Sequence, residues 1–136
     1  MKESFFCALF AAAILITAAP LAAHHGAASF DTDKEITLKA TVTEWVWSNP
    51  HCFLIFDAMD STGAVRKWTV ETGNPTDMST RGWRRTSFKF GDQVTVTLTP
   101  FKDGSPVGRI RKVVFANGQT LGTTSADAVP VQQPGR

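Results

Sequence analysis

With 136 residues, 43% of them hydrophobic, the chain has the length and apolar content for one domain with its own core. A net charge of +2 excludes reading nucleic-acid binding from overall charge. Two cysteines, Cys7 and Cys52, exclude a disulfide scaffold, because the first falls in a leader and leaves the second without a partner.

The leader is the first element. Lys2 supplies a positive start, and Phe5 to Ala19 reads FFCALFAAAILITAA without a charge, a Gly or a Pro. That run is shorter than the ~20 apolar residues a membrane span needs, so residues 1–23 are expected to be an export signal and not an anchor. Cleavage after Ala19 would leave Pro20 first, and cleavage after Ala22 would leave Pro20 third back from the cut; both are disfavoured. Cleavage after Ala23 is the best of the three and makes His24 the first residue of the mature chain. The expectation is a soluble periplasmic or secreted protein with no membrane anchor.

From residue 24 to residue 122 the signals are mostly those of strands. EITLKATVTEWVW alternates Ile36, Leu38, Ala40 and Val42 against Thr37, Lys39, Thr41 and Thr43, the period of a half-buried strand. Trp45 and Trp47 have the parity of the polar face, so either a bulge resets the register or two indoles are partly exposed. SNP ends the element, since Pro50 lacks a donor and holds Asn49 extended. HCFLIFDAM reads as a central strand covered on both faces, and DSTG turns it into AVRKWTVE, where Trp68 and Val70 share a face.

The period then changes. NPTDMSTRGW places Asn74 as N-cap, Pro75 at the first helical position, Asp77 near the positive end of the dipole and Gly82 at a left-handed C-cap, predicting a helix from about Pro75 to Arg81. GDQVTVTLTPF is a clean fourth strand with Val94, Val96 and Leu98 inward. VGRIRKVVF is a fifth, and the Asn-Gly of ANGQTL predicts a hairpin to a short sixth. Residues 123–136 have neither periodicity nor apolar density and are expected to be a disordered tail.

Three strands, a helix and two further strands is the order of an OB-fold. The expected class is therefore all-β, a small OB-fold-like barrel of five to six strands with one short helix between strands three and four. A small sandwich or an SH3-like barrel accounts less simply for a helix at that place.

The three histidines are His24, His25 and His51. If His24 is N-terminal, its amine and imidazole can chelate one ion and His51 can add a third nitrogen, a T-shaped set that suits Cu(II). Cleavage after Ala22 instead places His25 third, which gives a square-planar Cu(II) or Ni(II) chelate. The candidate metal residues are thus His24, His25 and His51, with Asp31 and Glu71 as oxygen ligands or orienting groups and copper as the expected cofactor. An idle, solvated His pair is the competing reading. Cys52 points to the opposite strand face from His51 and is expected to be a small buried hydrophobe, while Glu71 has a structural alternative in an ion pair with Lys67 or an arginine.

A second constellation joins Trp45, Trp47, Trp68 and Trp83 to the basic runs RGWRR and GRIRK. OB-folds stack ligands on such surfaces, which makes a Trp-rich face binding a protein, glycan or other small-molecule ligand the alternative to the metal site. The export signal and small net charge speak against nucleic acid. No phosphate loop, nucleophile elbow or zinc-protease motif is present, so an enzyme is not the expectation, although a copper oxidase or oxygenase is a third reading.

AHHGAASFD, TVTEWVWSNPH, WTVETGNP and GWRRTSFKFGDQVTV together resemble domain-of-unknown-function family 6152, small exported bacterial proteins with these motifs in this order. The resemblance covers His24 to about Leu121 and falls on His24, His25, Phe30, Asp31, Trp47, Asn49, Pro50, His51, Trp68, Glu71, Gly82, Trp83, Gly91 and Asp92. Gly26 departs from it where Ser is usual. The resemblance implies an exported β-barrel and no particular activity.

Overall fold

The computed structural model describes residues 26–124. The strands are β1 (Ile36–Val46), β2 (Phe53–Met59), β3 (Val65–Glu71), β4 (Gln93–Pro100), β5 (Val107–Phe115) and β6 (Thr120–Gly122), with one helix, α1 (Pro75–Thr80), between β3 and β4. The sheet runs β3-β2-β1-β4-β5-β6 and closes through a parallel β3–β5 pairing of Thr69, Val70 and Glu71 with Val107, Gly108 and Arg109. This is the OB-fold-like closed five-stranded barrel, with β6 added to β5 as an extra strand. The leader, His24 and His25, and residues 125–136 lie outside the described residues.

Alternation makes the barrel. Val42, Leu54, Phe56, Val70, Val96, Leu98 and Val113 are completely buried, and each such side chain contributes on the order of 1.5–3 kcal/mol. β2 differs from its expectation. Its burial alternates strictly, with Leu54, Phe56 and Ala58 inward and Phe53, Ile55 and Asp57 half-exposed, because a barrel strand has a single apolar side and its continuous apolar run leaves part of itself on the outer wall.

The Trp parity conflict is resolved by a bulge in β1. Val42 pairs with Phe56 but Glu44 pairs with Ile55, so Thr43 is the extra residue and every later side chain changes face. Trp45 and Trp47 consequently pack against the core. Thr43 Oγ1 is buried without a hydrogen-bond partner among the described residues.

Helix α1 ends one residue earlier than expected, with Arg81 as C-cap; Asn74 Oδ1 accepts the Asp77 N–H at 3.0 Å and Gly82 has φ of +88°. Barrel closure depends on Gly108, which faces Val70 of β3 and Pro100 of β4 at once. A Cβ there would lie 2.5 Å from Leu98 Cδ1 and 2.7 Å from the Thr99 carbonyl oxygen. Near the start of the described residues, Phe30 forms a bridge to Phe101. Thr123, expected in the tail, is instead held to β5, its N–H donating to Arg111 O at 2.9 Å.

Candidate functional site

His51 lies in the connection Trp47–Cys52 between β1 and β2. The β2–β3 ladder continues past the strands there, with Cys52 N–H donating to Gly73 O at 3.0 Å and Thr72 N–H to Cys52 O at 2.9 Å. This fixes the backbone on both sides of the imidazole, and His51 Nδ1 stands 3.0 Å from the Thr72 carbonyl oxygen. A carbonyl only accepts, so Nδ1 carries a proton, which leaves Nε2 as the ring nitrogen that can offer a lone pair. An imidazole oriented by a backbone carbonyl through one nitrogen is in the usual state of a metal ligand. The residue is exposed and forms one wall of a cleft of about 300 Å³ shared with Thr72, Gly73, Arg109, Arg111 and Thr123.

Glu71 is beside this cleft but already engaged. The parallel closure puts it opposite Arg109, whose Nε and Nη2 donate to Oε1 at 3.1 and 2.8 Å. Its expected structural role is therefore met by an arginine, whereas Lys67 pairs with Asp57 at 3.2 Å. With the side chains 46% and 21% exposed, this pair is worth about 1 kcal/mol or less; its effect is positional. The Arg109 guanidinium also lies 4.2 Å over the Phe30 ring, which meets Phe101 edge-on at 4.7 Å. A chain of contacts thus runs from the start of the described domain, through Phe30, Arg109 and Glu71, to the strand end that holds His51.

Asp31 is half-buried next to Phe30, its N–H donating to Pro100 O at 2.9 Å; no described contact links its carboxylate to His51 or Glu71. His51 is the single histidine among the described residues, and no group of three or more His, Cys, Asp or Glu converges there in metal-binding geometry. Cys52 is fully buried. Burial pushes its thiol pKa up, outweighing a backbone hydrogen bond at Ser48 and the Arg85 charge, which act the other way.

The tryptophans do not share a surface. Trp83 is fully buried, with Nε1 donating to Gly122 O at 2.8 Å, and Trp68 is buried in a stack on Phe56. Both belong to the core cluster of the closed barrel, which corrects their placement on a ligand face. Only Trp45 and Trp47 remain partly exposed, 5.7 Å apart, and Trp45 Nε1 donates to Arg84 O at 3.0 Å. The sequence reading missed Arg109 as the partner of Glu71. In an OB order the end of the third strand meets the start of the fifth, so the first arginine of GRIRK was the signal.

The domain is thus an OB-like barrel presenting one oriented, exposed histidine at a cleft beside its parallel seam. Residues 12–111 match a family of unknown function, DUF6152, and the chain belongs to that family. No curated protein and no solved structure matches it.

Proposed function

We propose that the chain is an exported periplasmic binding or accessory protein whose signal is removed after Ala23, and that its new N-terminus and His51 together bind Cu(II). The observation that carries this reading is the His51 imidazole, oriented through Nδ1 by the Thr72 carbonyl and free to ligate through Nε2. In the proposal the α-amine and imidazole of His24 chelate the ion and His51 supplies the third nitrogen, a donor set suited to Cu(II). His25 takes the place of His24 if cleavage falls one residue earlier. Connectivity supports this: Phe30 is joined through Arg109 and Glu71 to the strand end bearing His51, and His24 lies six residues before Phe30, the intervening Ala27–Ser29 being a 3-10 turn. Glu71, held by Arg109, acts as a positioning group, and Asp31 is the further oxygen donor.

Among the described residues the buried core runs from Phe30 to Leu121, so a chain beginning at His24 keeps the whole barrel. Copper titration of that chain tests the reading. His51→Ala should weaken Cu(II) binding at least about tenfold, and one extra residue before His24 should weaken it similarly by moving the amine. Unchanged affinity in His51→Ala would reduce the site to a bare N-terminal chelate, and intact-mass analysis of the exported protein checks the start at His24.

A further inference from the structure

Positive charge is concentrated on one connection of the barrel. Residues 81–92 hold four cations, Arg81, Arg84, Arg85 and Lys89, against one carboxylate, Asp92. The segment's charge of +3 exceeds the +2 of the whole chain, so everything else sums to −1. All four cations are exposed, and none makes an ion pair among the described residues, where the pairs are Lys67–Asp57, Arg109–Glu71 and Arg111–Glu35. The nearby carboxylates are occupied: Asp92 accepts the Lys89 N–H at 2.9 Å and Asp77 accepts Asn74 Nδ2 at 2.9 Å. Arg84 donates to Ser79 O and Trp83 O at 2.7 and 2.8 Å, bonds that fix its position without neutralising it.

Apolar surface accompanies the charge. Phe90, next to Lys89, is 84% exposed, the most exposed large hydrophobic residue of the described domain. The neighbouring Phe88 is anchored in the core against Trp45, Trp83 and Phe115, so the turn that carries Phe90 has a rigid base. Trp47, half-exposed, reaches the same segment through Trp45, whose indole is bonded to Arg84 O.

We propose that this connection is a peripheral docking surface for an anionic lipid bilayer, with Arg81, Arg84, Arg85 and Lys89 on headgroup phosphates and Phe90 in the interfacial layer, flanked by Trp47. A bilayer is favoured over an acidic protein or a soluble polyanion because it meets both features together: phosphates for unpaired cations and an apolar boundary for a projecting ring. The inference is independent of the copper site.

Co-sedimentation of the chain beginning at His24 with phosphatidylcholine vesicles, with and without phosphatidylglycerol, is the test. Binding is expected only with the anionic lipid and should fall steeply as salt is raised. Arg81→Gln, Arg85→Gln and Lys89→Gln should each weaken it about fivefold. Phe90→Ser should weaken it at least about fivefold, and Lys67→Gln, on β3, should leave it unchanged. Failure to bind phosphatidylglycerol vesicles at low salt, or an equal loss from Lys67→Gln, overturns the proposal. So does retention of full binding by Phe90→Ser, which would assign the surface to a polyanion.

Discussion

Gly108 carries the sharpest test of how the barrel is closed. It has an ordinary β conformation, since among the described residues the glycines with positive φ are Gly63, Gly82, Gly91, Gly104 and Gly118. Alanine is therefore conformationally admissible there and, by reducing the freedom of the unfolded chain, would stabilise the protein by about 0.5–1 kcal/mol if space allowed. Space does not allow it. The added methyl would sit 2.5 Å from Leu98 Cδ1 and 2.7 Å from the Thr99 carbonyl oxygen, against the ~3.5–4.0 Å of a relaxed carbon contact. Leu98 is fully buried, and the Thr99 oxygen is backbone of the paired strand β4 and cannot turn aside. Relief must come from moving β5 away from β4, at the residue that also pairs with β3. Overpacking of this kind costs about 1–3 kcal/mol, so Gly108→Ala should lower Tm by about 5–20 °C in a domain of this size. Thermal unfolding followed by far-ultraviolet circular dichroism measures it, with Gly26→Ala as control, since a Cβ at Gly26 meets nothing within 4 Å. A Gly108→Ala protein as stable as the parent would refute the reasoning about the seam.

Trp83→Phe leaves the buried Gly122 carbonyl without its 2.8 Å donor and should cost about 1–3 kcal/mol in urea unfolding, whereas Trp47→Phe, half-exposed, should cost no more than about 0.5 kcal/mol; the reverse order would contradict the assignment of Trp83 to the core. Asp60 titrates below the usual carboxylate range, first because the Thr62 hydroxyl donates to Oδ1 at 2.6 Å and then through the Thr62 N–H. A pKa lowered on folding favours the fold above the unfolded pKa, and that contribution is lost as pH falls through the folded value. Thr62→Val should return the Asp60 titration toward the ordinary range when followed by NMR, and an unmoved midpoint would disprove the attribution.

Strand order, the helix and most inward positions were legible in the sequence because each depends on local pattern: alternation in VTVTL, caps around PTDMST, and turn residues at DSTG and in ANGQTL. The bulge was legible only as a contradiction, two tryptophans on the wrong parity. Which resolution won depended on nonlocal packing, since Trp45 gains Trp83 and Phe88 as neighbours from a connection about forty residues away. The exposed outer side of β2 was misjudged for a related reason. A continuous apolar run does not reveal whether one or two layers will cover it.

Less of the candidate site was legible, because its parts meet through closure. No local rule puts Arg109 against Glu71; the parallel seam does, and the bridge of Phe30 to Phe101 holds the ring that the guanidinium covers. His51 stood out in the sequence as a residue type, but what distinguishes it from an idle histidine is a carbonyl 21 residues away that holds one ring nitrogen. That bond also bears on the copper proposal. A ligand held in one tautomer and orientation before the ion arrives loses little freedom on binding, so His51→Ala should cost more than a freely rotating third nitrogen would. Placing a histidine at Asn49 instead, in an otherwise His51→Ala chain, separates orientation from mere presence: if it restores full copper affinity, the Thr72 carbonyl has no part in the site.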